Sequence, residues 1–226
     1  MPLKLLSPGG GSVLLQANTT SLDYTLTVPA ETANLITTAS STGINASAMS
    51  LGTIPTARLP TIPKANMPTG SILQVLQAYK DDPFAHNSTS YAAVTGLSVN
   101  ITPQFSTSKI LIMACINANS LNRGGLLEVR RNGNRFMMPS NYSNRGPTNI
   151  GSPWTGDGSG DGGMLFSPSN MLLDSPATTS TITYAVYVRV NDTSSYGTRI
   201  NYTADDVDGS DYVRGTSSLT VMEIAG

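Results

Sequence analysis

The chain has 226 residues, 13 of them basic and 14 acidic, so its net charge is −1 and only 12% of its side chains carry charge. That length holds one large β domain, or a domain of about 150 residues with an extension, at about half the ~25% charge content usual for soluble globular proteins. Ser, Thr, Asn and Gly must supply solubility, no cluster of Lys and Arg marks a polyanion partner, and a lone cysteine, Cys115, cannot form an intrachain disulfide.

Residues 1–42 read as short strands between turns, over Ser12 to Gln16, Asp23 to Val28 and Asn34 to Thr38. Each is too short to hold a core alone. The opening MPLKLLSPGGG offers only Leu3, Leu5 and Leu6 before proline and glycines interrupt it, which fits neither a signal peptide nor a membrane anchor. Without a secretory signal, the Asn-x-Ser/Thr sequons at Asn18, Asn45, Asn87, Asn100, Asn141, Asn191 and Asn201 read as a by-product of composition.

From Gly43 to Gly70 the prolines at 55, 60, 63 and 68 forbid a long helix or a central strand. Leu51, Ile54, Leu59, Ile62 and Met67 still recur every few residues. A solvated linker has no need of them, whereas three chains winding together, or a linker lying along its own head domain, would bury them.

Beyond Gly70, Ser71 to Lys80 fits a buried strand by its apolar density and a helix by the spacing of Ile72, Val75, Leu76 and Tyr79; strands then follow at short intervals: Tyr91 to Val94, Ser98 to Ile101, Lys109 to Ala118, Gly125 to Arg131, Arg135 to Met138, Gly163 to Leu173, Thr181 to Val190, Thr198 to Thr203 and Ser217 to Ala225. With Gly, Asn and Pro turns between them, they predict an all-β, antiparallel sandwich. Arg131-Asn132-Gly133-Asn134 is the sharpest turn signal, because Asn-Gly supplies the positive φ angles of a type I′ hairpin. Cys115, inside the apolar run KILIMACINA, reads as a small buried hydrophobe in a strand.

The organising stretch is LLDSPATTSTITYAVYVRV, residues 172–190. Asp174-Ser175-Pro176 makes an entry turn, the aspartate being able to bond nearby backbone N–H groups. After it Ile182, Tyr184, Val186, Val188 and Val190 form one apolar face at period two. In the last strand Leu219, Val221, Glu223 and Ala225 point one way and Thr220, Met222 and Ile224 the other; two mostly apolar faces predict a central strand.

Catalytic chemistry finds little support. The single histidine, His86, lies among turn formers, and nothing in the sequence places it beside Cys115 or a serine. Paired-carboxylate hydrolysis needs two acids about 5 to 10 Å apart across a groove, yet the only glutamates are Glu31, Glu128 and Glu223, the last two in strands, and the aspartates sit mostly in turns. Asp157 to Asp161 and Asp205 to Asp211 lack the glutamate of a calcium-binding loop, so no metal or cofactor is expected. The positive signal is aromatic residues in neutral-polar loops. Pro139 to Gly162 is a long irregular stretch with Trp154, Tyr142, Arg145, Asp157 and Asp161, and Tyr196 and Tyr212 lie in later loops. Such side chains suit stacking on sugars or gripping a protein, and they are the candidate receptor-binding residues.

Four stretches carry a family resemblance. The run from Leu172 into the Thr-Tyr-x-Val-x-Val strand, together with the ending LTVMEIA, resembles the C-terminal head domain of tail-fibre and fibre-like proteins of tailed bacteriophages. GSVLLQANTTSLDYTLTVPAETANLITTA is similar to a β module near the N-terminus of such fibres, and LGTIPTARLP to the short repeats of their shafts. The resemblance implies a virion component with a jelly-roll-like β-sandwich head, assembled as an intertwined homotrimer. Residues 1–42 would join it to other tail or capsid proteins, residues 43–70 would form the shaft, and residues 71–226 the head. Its partner would be a host surface glycan or outer-membrane protein, gripped by many weak sites at once. The chain would be made in the host cytoplasm, with no membrane insertion and no enzymatic activity. A capsid or tail decoration role, and a glycan depolymerase, are the alternatives.

Overall fold

The computed structural model describes residues 3–6, 12–15, 63–120, 124–140, 146–153, 163–191 and 197–226. The chain divides into two compact units, Met1–Leu59 and Pro60–Gly226. In the first, β1 (Leu3–Leu6) pairs antiparallel with β2 (Ser12–Leu15), Leu3 facing Leu15 and Leu6 facing Ser12. The leucines of the opening therefore lie in a strand that the sequence reading left unassigned. The expected strands over Asp23 to Val28 and Asn34 to Thr38 fall outside the described residues.

Among its described residues the second unit opens with one 3-10 turn, Lys64–Asn66, and its other regular elements are strands. Its strands are β3 (Ile72–Lys80), β4 (Phe84–His86), β5 (Ala92–Ile101), β6 (Lys109–Cys115), β7 (Ala118–Ser120), β8 (Gly125–Arg131), β9 (Asn134–Arg135), β10 (Ser169–Asp174), β11 (Ile182–Val190), β12 (Thr198–Ile200) and β13 (Ser217–Ile224). They form three antiparallel sheets, in the orders β10-β6-β13-β3, β5-β11-β8-β9 and β4-β12-β7. The pairings in the two larger sheets are nested: β3 with β13, β5 with β11, β6 with β10, and β8 with β9. The chain runs out to the β8–β9 hairpin and returns along itself.

At that hairpin Asn132 and Gly133 have φ of 50° and 75°, as the Asn-Gly signal required. Ile182, Tyr184, Val186, Val188 and Val190 of β11 are all buried, and β13 sits between β6 and β3. One hydrophobic cluster takes Ile110, Ile112, Leu172, Leu219 and Val221 from the first sheet and Leu97, Ile101, Leu127, Val129, Ile182 and Val186 from the second. Each such side chain is worth about 1.5–3 kcal/mol when fully buried.

Boundaries move for physical reasons. Residues 92–101 form one strand where two short ones were expected, because Gly96, at φ 88°, lets the buried phase slip from Val94 to Leu97 opposite the register shift between Ala185 and Tyr187. The strand expected from Lys109 to Ala118 is two: β6 ends at Cys115, the Asn117 side chain bonds the Thr216 carbonyl, and β7 joins a different sheet. Strand pairing after the hairpin stops at Arg135 instead of Met138, Met137 having φ of 50°. The strand expected from Gly163 starts only at Ser169, preceded by one bridge between Phe166 and Ala118. Strand β12 ends at Ile200 because Asn201 turns to φ 68°, its side-chain amide donating to the carbonyls of Lys80 and Asp82.

Two side-chain expectations are corrected. Cys115 is exposed, because strand parity sends Ile110, Ile112 and Ala114 into the core and leaves Leu111, Met113 and Cys115 on the other face. Asp174, expected to bond neighbouring backbone N–H groups, instead accepts two hydrogen bonds from Arg131 Nη1 at 3.0 Å and one from the Tyr184 hydroxyl at 2.6 Å. That triad closes one end of the core. Burial, with the carboxylate second, raises the Tyr184 pKa strongly above its ordinary value.

Candidate functional site

Three surfaces of the second unit carry more than folding requires. The first is the outward face of the β10-β6-β13-β3 sheet. Register places Leu173, Leu111, Met222 and Val75 in one row across it and Met171, Met113, Thr220 and Gln77 in the next. Ser169, Cys115, Ser218 and Tyr79 follow, and Lys109, Ile224 and Ile72 lie at the far end. Met171 is 66% exposed, Tyr79 60%, Ile72 55% and Val75 52%. Lys109 is the only charged side chain in these rows, and a shallow depression of about 650 Å³ lies over Met113, Cys115 and Met171.

The second surface is on the β5-β11-β8-β9 sheet. The hairpin register sets Arg130 opposite Arg135, and outward-facing Tyr187 of β11 lies opposite Glu128. Glu128 is completely buried and accepts from Arg130 Nε at 2.6 Å through one oxygen and from Arg135 Nε at 3.0 Å through the other. The Arg130 guanidinium lies between two rings, 4.4 Å from the centre of Tyr91 and 4.6 Å from that of Tyr187. Arg189 and Arg135 also approach Tyr91, at 5.4 and 5.6 Å. The Tyr91 hydroxyl is buried and meets no partner of ordinary hydrogen-bond geometry among the described residues. Its pKa is raised chiefly by desolvation and further by Glu128, with Arg189 and Arg135 opposing. Segment 146–153 walls this region: Asn149 bonds the Val129 backbone on both its N–H and its C=O, Arg135 Nη2 donates to the Pro147 carbonyl, and Gly151 pairs with Leu127. Part of the stretch expected to be one long loop is thus laid along β8.

The third is the loop after β12. Tyr212 lines a pocket of about 240 Å³ with Asp206, Asp208, Gly209, Val213 and Arg214. Its ring packs between Gly163 and Gly209, and Arg214 pairs with Asp206 at 2.6 Å while lying 5.3 Å over the Tyr202 ring. Of the candidate receptor residues this is the one the structure places. Trp154, Tyr142, Arg145, Asp157, Asp161 and Tyr196 lie outside the described residues.

Groups weighed for catalysis are engaged in structure. His86 donates from Nε2 to the Ser90 carbonyl at 2.8 Å. Glu223, fully buried on the inner face of β13, accepts from the Gln104 N–H and the Gln74 side chain, both at 2.6 Å. Among the described residues no three His, Cys, Asp or Glu side chains gather to hold a metal ion, and no helix is long and apolar enough to cross a membrane.

Tyr91, Arg130, Arg135 and Arg189 were not singled out in the sequence. The available signal was the Asn-Gly hairpin, which fixes Arg130 opposite Arg135, and the polar face of residues 181–189, which carries Tyr187 and Arg189 together. Tyr91 has no such signal, since only the fold brings it to them. No known protein-family model matches this chain, and no curated protein matches it in sequence.

Proposed function

We propose that the chain is a virion fibre protein of a tailed bacteriophage that attaches to the host surface through a homotrimeric head. The reading joins the resemblance of the four quoted stretches to one observation, the apolar outward face of the β10-β6-β13-β3 sheet. Four strands about 4.8 Å apart, rising about 3.3 Å per residue over seven residues, give a face of roughly 19 by 23 Å, on the order of 400 Å². The largest apolar patch on a typical monomer is of about that size and is often functional. A second copy of the chain suits it, because the face carries a single charge and a net charge of −1 gives copies little mutual repulsion.

In this reading the two large sheets pack face to face as a jelly-roll sandwich. The nested pairing of β3 to β13, β5 to β11, β6 to β10 and β8 to β9 supports it, since that is the order a long hairpin takes when rolled into two sheets. Residues 1–42 join the virion, residues 43–70 form the shaft, and residues 71–226 form the head, which presents weak sites in multiple copies. The test is the mass of the full chain in solution by light scattering, together with its binding to a panel of bacterial strains. A mass three times 23.7 kDa and binding to some strains are expected. A monomer overturns the fibre, and a trimer that coats no strain transfers the role to decoration of the particle.

A further inference from the structure

We infer that the depression over Tyr91, lined by Arg130, Arg135, Arg189, Thr89 and Ser90, binds the carboxylate or sulfate group of an acidic saccharide. Three of the chain's 13 basic residues meet here around one ring, and Glu128 balances one of their charges, leaving an excess of two among the described residues. Like charges this close repel each other unless an anion joins them. The guanidiniums are also pre-set. Glu128 occupies the Nε of Arg130 and of Arg135, the Pro147 carbonyl takes one Nη of Arg135, the Gly133 carbonyl takes Nη1 of Arg130 at 3.5 Å, and the Tyr91 and Tyr187 rings lie 4.4 and 4.6 Å from the Arg130 guanidinium. The Nη groups that remain are the donors suited to bidentate capture of a carboxylate or sulfate. Arg189 makes no ion pair among the described residues.

The depression is open, about 480 Å³ in volume, within the range of about 300–1,000 Å³ common for small ligands. It fits one charged group and its ring, not a polyanion, which needs basic residues in a stripe. Thr89 and Ser90 add hydroxyls for the neutral part of a sugar. The choice of a saccharide over another anion rests on the surface-attachment reading above; the anion chemistry does not.

Calorimetric titration of the full chain with trigalacturonate, a sulfated oligosaccharide, maltotriose and sodium sulfate tests the assignment. Both acidic oligosaccharides are expected to bind, more weakly as NaCl rises, and maltotriose not to bind. Arg189→Gln is expected to weaken binding about tenfold or more, the loss of one charge-assisted contact. Thr89→Asp, an exposed position that puts a carboxylate at the rim, is expected to act in the same direction with an unchanged circular dichroism spectrum. Equal affinity for maltotriose, binding of sulfate alone, no binding at all, or full affinity in both variants would each overturn the inference. So would Arg189-dependent capture of an acidic protein in place of the oligosaccharides. Cell binding separates this site from attachment itself. If acidic sugars bind without dependence on Arg189 while wild type and Arg189→Gln coat cells equally, the pocket assignment falls and attachment stands; if the wild type binds acidic sugars through Arg189 but coats no cell, the site stands and attachment falls.

Discussion

The two large sheets share an inner chemistry and differ on their outer faces. Inside, both contribute Ile, Val and Leu to one cluster. Outside, the β10-β6-β13-β3 sheet shows Met171, Val75, Ile72 and Tyr79 to solvent, whereas the β5-β11-β8-β9 sheet carries Arg130, Tyr187 and Arg189 above a buried Glu128, walled by residues 146–153. An antiparallel sheet with one solvated face normally alternates apolar inside with polar outside. The first sheet breaks that rule and the second keeps it in an elaborated form. In the function proposed above, assembly belongs to the first face and ligand chemistry to the second, and substitutions can pull the two apart.

The largest effect is expected on the apolar face. Val75→Glu with Met113→Glu puts two carboxylates on neighbouring rows where burial against another copy would strand them, at a cost of several kcal/mol per charge. Light scattering should show the assembly mass falling to that of one chain, while Ser98→Glu, exposed on the other sheet, leaves it unchanged. An unaltered mass in the double variant would place the assembly contacts elsewhere.

On the opposite face the sensitive group is Glu128. Replacing it by Gln keeps its shape and removes the charge that holds Arg130 and Arg135 together. Breaking a buried pair of this kind costs about 3–5 kcal/mol, and the exposed side of Arg135 brings the expected value to the lower end. Urea unfolding at neutral pH should register a loss of about 3 kcal/mol, with the assembly mass of the surviving folded protein retained. A loss below about 1 kcal/mol would mean that solvent already screens the arginines and that Glu128 does not organise them.

Much of the fold was legible because period-two patterning states which side is inside. Residues 182–190 alternate cleanly, Asn132-Gly133 dictates its turn, and the two apolar faces of 217–224 mark a strand with neighbours on both sides. Where both faces are apolar the same rule falls silent. KILIMAC gives no parity signal, so Cys115 was assigned inside when its row, with Leu111 and Met113, lies outside. A bulge hides in the same way: 92–101 changes phase at Gly96, and a reading by strict alternation splits it in two. The candidate site was less legible. Aromatic loop residues pointed to Tyr212, but the arginine cluster depends on Tyr91, which lies just ahead of β5 and distant in sequence from β8, and Asp174 looked like a turn residue until Arg131 and Tyr184 were brought to it.

The smallest expected effect lies where the two faces no longer differ, in the triad at the end of their common core. Tyr184 donates to Asp174 at 2.6 Å, and its folded-state pKa is raised above the ordinary 10.0 by burial first and by the carboxylate second. A raised pKa means the folded state holds the proton more tightly, so the stabilisation is complete below pH 10 and declines as pH climbs, once the unfolded tyrosine ionises and the folded one does not. Tyr184→Phe should cost about 1 kcal/mol at pH 8, the net worth of one hydrogen bond. At pH 11 the wild type alone has lost a further ~1.4 kcal/mol through this residue, so the gap between the two proteins should close or reverse. Tyr91, also raised, acts equally in both chains and cancels in the comparison. A gap that stays constant from pH 8 to pH 11 would show that Tyr184 ionises as freely in the fold as outside it.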